Sequence, residues 1–198
     1  MKHLTTAEIA RLVSGAAGEE AAECCRHLAE VCPDCSTRLA EVEALLKRFQ
    51  HWDAETVWRE GPAAEALFET LLEKGRNPEG WASLVEQDVA YQTWCVAWVA
   101  LEGAQKLIAG DITRTQARDL ALLAAKIAAH LSTSYHPEST ADLKALAHAT
   151  AAAAWHPGED SAGMLRQVAA AMTALNQGTG DPAVESEVMA LLSRVFQP

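Results

Sequence analysis

The chain is predicted to be all-α, and three observations carry that prediction. Ala, Leu and Glu abound, and aromatics make up only 6% of the 198 residues, with two Tyr and three Phe to populate strands. Apolar side chains recur at the 3.6-residue spacing of helices rather than at every second position. The expected organisation is a small three-helix module over 1–51, a connecting helix and linker over 52–80, and an α-helical repeat-like or bundle domain over 81–198.

In chain order, Thr5-Thr6-Ala7-Glu8 has the form of a capping box and opens a helix with apolar positions Ile9, Leu12 and Val13, ending near Ser14-Gly15. A second helix is expected from about Glu19, with acids in its first turn where the helix dipole favours them, through Cys25 and Leu28 to about Val31. Pro33 then suits the first position of a third helix, where a missing N–H costs nothing. That helix carries Leu39, Val42, Leu46 and Phe49 along one face. Between Trp52 and Gly80 the breakers Gly61-Pro62 and Asn77-Pro78-Glu79-Gly80 frame a connecting helix from about Pro62 to Lys74, bearing Leu67, Phe68, Leu71 and Leu72.

After Trp81 a long helix is expected to run to about Ala109, stopped by Gly110. Thr113-Arg114-Thr115-Gln116 can cap the next, which carries Leu120, Leu123, Ile127 and Leu131. Further helices are expected from about Glu138 to Trp155 and from about Ser161 to Gln177. Asp181-Pro182, an N-cap followed by Pro at the first helical position, starts the last. Residues 145–154 hold seven alanines, a density of small side chains that lets helices approach closely. Consecutive helix pairs joined by short loops read as a degenerate α-solenoid, with a compact bundle as the alternative.

One stretch carries a specific chemistry. In His27-Leu28-Ala29-Glu30-Val31-Cys32-Pro33-Asp34-Cys35, two cysteines stand three apart around a Pro-Asp turn, an interval at which two thiolates can grip one tetrahedral metal, and His27 lies about one helical turn upstream. Zn2+ is the expected ion, with His27, Cys32 and Cys35 as ligands and His3 as the best-placed fourth. Cys24 and Cys25 stand as substitutes for His3. A pair of ordinary or redox-active thiols at a helix start is the other reading of Cys32 and Cys35. Helix N–H groups there favour thiolate over thiol, and a module of about 50 residues buries so little apolar surface that metal binding would supply much of its folding free energy.

Net charge is -11, and neither half holds a basic island: residues 1–75 carry 8 Lys/Arg against 14 Asp/Glu, the remainder 8 against 13. Direct nucleic-acid binding is therefore disfavoured, and a basic protein partner suits the surface better. The longest apolar run, Trp94 to Leu101, is too short to span a bilayer. The segment Met1-Lys2-His3-Leu4-Thr5 lacks the apolar core of a secretory signal. Five cysteines, four of them within residues 24–35, do not form a disulfide framework, and a reducing cytoplasm is the expected setting. No nucleophile elbow, phosphate loop or H-E-x-x-H appears, so no enzyme is expected. His130, His136, His148 and His156 read as surface or capping histidines, and Cys95 as a buried apolar residue.

His3, His27, Cys32 and Cys35 together resemble the zinc-binding anti-sigma module and the wider zinc-finger family of bacterial regulators, in which an N-terminal His or Cys precedes His-x3-Cys-x2-Cys by about 25 residues. Here four residues, not three, separate His27 from Cys32. The part from Trp81 onward resembles degenerate tetratricopeptide-type repeats, most clearly from Gln177 to Pro182. The resemblance implies a cytoplasmic anti-sigma-like regulator that sequesters a sigma factor through zinc-stabilised helices. The other class of function is an adaptor or scaffold whose helical part holds a protease, effector or other protein, with zinc purely structural.

Overall fold

The computed structural model describes residues 4, 9, 32–48, 54–109, 114–155 and 160–196. Among them are eight α-helices and one 3-10 turn, and no strand. The all-α expectation therefore holds. The chain divides into two compact units, Met1–Ala63 and Ala64–Pro198.

In the first unit, α1 (Pro33–Arg48) begins where Pro33 fixes φ and Cys32 O accepts the first helical hydrogen bond, from Ser36 N at 3.0 Å. Its apolar face forms as expected where it is described. Val42 is buried against Ile9, with Leu39 and Leu4 packed around them. Leu12, Val13 and Phe49, from the same expected faces, lie outside the described residues.

The connecting helix is longer than its sequence signals indicate. α2 (Ala54–Gly75) runs unbroken through Gly61 and Pro62. Pro62 has no N–H for the carbonyl four residues back, and its ring crowds that turn, which costs a free helix about 3 kcal/mol. Val57, Ala64 and Leu71, seven apart and all buried, mark the stripe whose burial outweighs the proline's local preference.

α2 ends in a corner built at close quarters. Arg76 takes the left-handed position, φ 61, although Gly75 stands beside it. A side chain on Gly75 would meet Trp81 Cδ1 at 2.4 Å, and one on Gly80 would meet Gly75 O at 2.0 Å. The two glycines let the chain cross itself, and the strained φ falls on the residue between helices. Asn77 then caps α3 (Pro78–Gln87), accepting from Gly80 N at 2.8 Å.

The single helix expected from Trp81 to Ala109 is three elements. α3 stops at Asp88, a 3-10 turn spans Val89–Tyr91, and α4 covers Trp94–Ala109. Competing side-chain hydrogen bonds make the break: Asp88 accepts from Ala90 N, Gln92 Nε2 donates to Val85 O at 2.7 Å, and Thr93 Oγ1 accepts from Val96 N.

α5 (Arg114–His130), α6 (Pro137–Ala153), α7 (Ser161–Leu175) and α8 (Pro182–Val195) follow. Their starts fall close to the expected positions because Pro137 and Asp181-Pro182 are unambiguous. The helices pack as a bundle, and α6 touches α4, α5, α7 and α8. Its central place follows from composition: alanines on every side leave ten buried positions and no polar face, so other helices must surround it. Asp142 is the charged exception. It accepts from Thr179 N at 3.2 Å and Thr179 Oγ1 at 2.6 Å, tying the α7–α8 connection to the middle of α6.

Candidate functional site

The start of α1 holds the two cysteines that the sequence singles out. Cys32 stands at the N-cap position, half-buried, and Cys35 is fully buried one turn on. Burial pushes the Cys35 thiol up from its ordinary value, a hydrogen bond from the Leu4 backbone pulls it down, and Cys32 pushes it up again. Arg38 Nη1 donates to Leu4 O at 3.1 Å, so the residue after His3 is fastened through its carbonyl to the helix that bears the sulfurs.

His3 and His27, and the substitutes Cys24 and Cys25, lie outside the described residues. Among the described residues no group of three His, Cys, Asp or Glu side chains could hold a metal ion. The two sulfurs themselves suit zinc. They are soft donors one helical turn apart at a helix N-terminus. Pro33 contributes no N–H to this turn, and Thr37 Oγ1 donates to Pro33 O at 3.0 Å.

A second concavity lies in the larger unit. A shallow cleft of about 570 Å³ is lined by Arg118, Asp119, Leu122, Trp155 and Asp160. The Arg118 guanidinium sits 4.7 Å over the Trp155 ring. Burial raises the Asp119 carboxyl above its ordinary range, and Arg118 partly offsets this. Asp160 accepts from Gly163 N at 3.0 Å as the cap of α7 and pairs with Arg166 at 3.3 Å. Among the described residues the lining holds no Ser, Thr, Cys, Lys or His side chain, and both aspartates have structural partners. Sequence reading passed over this cleft, because its members come from three separate stretches with no shared motif.

Of the four histidines expected to be surface or capping residues, His130 and His136 follow that role, His148 does not, and His156 lies outside the described residues. His130 bonds Lys126 O through Nδ1 at 2.9 Å in the last turn of α5, and His136 stands exposed at the start of α6. His148 instead reaches from α6 to α7 and shares a 2.8 Å hydrogen bond between Nδ1 and Gln167 Oε1. Cys95 is fully buried. Comparison of the chain with models of protein families, with curated proteins and with solved structures finds no match.

Proposed function

We propose that the chain is a regulatory binding protein of the anti-sigma kind, in which a zinc ion held by His3, His27, Cys32 and Cys35 fixes the N-terminal helices in a partner-binding arrangement. The observation that carries the reading is the tie from Leu4 to Arg38. It brings backbone adjoining His3 to the helix that bears the sulfurs, as a four-ligand site drawing on both ends of the module requires. The partner is a sigma factor, whose basic surfaces complement a chain of net charge -11.

Metal analysis of the purified chain tests the staple. About one zinc per chain is expected, lost in Cys32→Ser and in His3→Ala. Zinc retained in His3→Ala but lost in Cys25→Ala would move the fourth ligand. A sigma factor from the same cell should be retained by the chain in a pull-down, and released when a chelator strips the metal. Retention unaffected by chelation removes the zinc module from the binding function.

The adaptor reading has its own support. Leu165 and Met172 on α7, and Met189 and Phe196 on or beside α8, are large apolar side chains left exposed, and such surface is suited to protein contact. The pairs α4–α5 and α6–α7 pack as neighbours, and α8 returns to α6, an order compatible with stacked repeats. Partner capture that needs residues 81–198 and survives loss of zinc would favour this reading over the first.

A further inference from the structure

The cleft of the larger unit is walled by α5, which supplies Arg118, Asp119 and Leu122, by Trp155 just past the end of α6, and by Asp160 at the cap of α7. Its indole wall is fixed in place. The Arg118 guanidinium covers one ring face at 4.7 Å, and a side chain on Gly163 would meet Trp155 Cζ2 at 2.8 Å and Asp160 Oδ2 at 2.5 Å. Only a glycine lets the first turn of α7 come so close to the ring. Trp155 Nε1, on the same ring edge as Cζ2, is buried with no hydrogen-bond partner among the described residues, a cost that ordinary packing avoids. The two carboxylates are not equivalent. Asp160 accepts from Gly163 N and pairs with Arg166. The Asp119 side chain is 25% exposed, and Arg118 Nε stands 4.0 Å from its Oδ1, beyond hydrogen-bond reach. Among the described residues no hydrogen bond reaches the Asp119 carboxylate.

We propose that this cleft receives an arginine side chain from a basic segment of a partner protein, with the guanidinium donating to Asp119 and the apolar stem lying on Leu122 and Trp155. A largely buried acceptor beside apolar walls is completed by a cation on an apolar stem. The planar fork of arginine serves both carboxylate oxygens at once, which a lysine ammonium does not. Two carboxylates against one guanidinium in the lining disfavour an anion. The source is a protein rather than a free small cation, because the cleft is shallow whereas small-molecule sites enclose most of their ligand. A net charge of -11 also draws a basic surface. The site belongs wholly to the larger unit and uses no metal, so it stands or falls separately from the zinc reading.

Isotope-labelled full-length protein is titrated at low ionic strength and followed by NMR of its amide and indole N–H groups, the Trp155 indole signal being identified by its loss in Trp155→Phe. The probes are a short capped peptide with one arginine among alanines, the same peptide with citrulline, the uncharged isostere, in place of arginine, and free agmatine. The arginine peptide should shift the Trp155 indole and the Asp119 amide, with a dissociation constant on the order of 1 mM. The citrulline peptide, agmatine, and the arginine peptide on Asp119→Asn should each bind at least about tenfold more weakly. The two peptides are compared on the parent chain, so the role of charge is read even if the variant folds poorly. Equal shifts from arginine and citrulline, shifts that leave Trp155 and Asp119 unmoved, or undiminished binding to a folded Asp119→Asn overturn the proposal. Agmatine binding as tightly as the peptide overturns the protein segment as occupant and makes the cleft a small-molecule site.

Discussion

Asp142 shows how one buried charge can decide the path of a loop. Its carboxylate receives the amide and the hydroxyl of Thr179, and a side chain on Gly178 would strike Asp142 Oδ1 at 1.9 Å. Removing the acceptor leaves two donors without it in a part-buried place, a loss of about 1.5–3 kcal/mol for bonds to a charged group. Asp142→Ala is therefore expected to lower the unfolding free energy of the full chain, measured by urea titration, by that amount, with Thr179→Ala costing less. The double variant should cost little more than Asp142→Ala alone, because the two residues act as a unit. His148 supplies a pH dependence. Burial, then the charge of Lys144, lowers its pKa below the ordinary 6.5, against the opposing hydrogen bond that its ring donates to Gln167 Oε1. The folded state then binds fewer protons than the unfolded one just below that value. Stability from this group is complete above about pH 6.5 and is lost as pH falls from there toward the folded pKa. Urea unfolding between about pH 7.5 and about pH 5 should show the loss in the parent and a smaller one in His148→Gln. Equal slopes in the two proteins would remove His148 as the cause.

Among the helices, the corner between α2 and α3 gives the sharpest expectation. Arg76 adopts a left-handed φ beside two glycines that are themselves needed for close approach. Arg76→Gly should stabilise the protein by about 1 kcal/mol, the cost of that conformation to a residue with a Cβ. Gly80→Ala should destabilise it by about 1–3 kcal/mol, because the added methyl meets backbone rather than a movable side chain. Thermal unfolding that moves in the same direction for both variants would refute this account of the corner. The same region shows where sequence reading reaches its limit. Helix starts at Pro33, Pro137 and Pro182 were legible because a proline and its capping neighbour act within one turn. Pro62 was misread as a boundary because its tolerance depends on burial of Val57, Ala64 and Leu71, a matter of tertiary packing. The break at Asp88 could have been found, since Asp88 and Thr93 are both cap residues, but the continuous apolar stripe around them masked it. The sulfur pair was legible from spacing. The tie of its helix to Leu4 was not, because a hydrogen bond to a distant backbone carbonyl leaves no signature in the sequence.

At the scale of the whole molecule, the two units differ in what can hold them together. The larger one surrounds an alanine-rich helix with four others, so close packing is what stabilises it. Among the described residues of the smaller one, Ile9, Cys35, Val42 and Val57 are buried, with Leu39 and Leu4 packed against Ile9 and Val42. If zinc joins the sulfurs, its binding free energy, on the order of 10 kcal/mol in isolated zinc modules, falls on the unit that holds both cysteines. Removing the metal should then act locally. Hydrogen exchange on the full chain, with and without chelator, should show the amides of α1 losing protection by at least about tenfold, or ~1.4 kcal/mol of local stability. The amides of α5 and α6 should be unchanged. Loss of protection in both units would mean that the metal supports the whole fold, and unchanged protection in α1 would mean that Leu4, Arg38 and the buried side chains hold the sulfur-bearing helix without it.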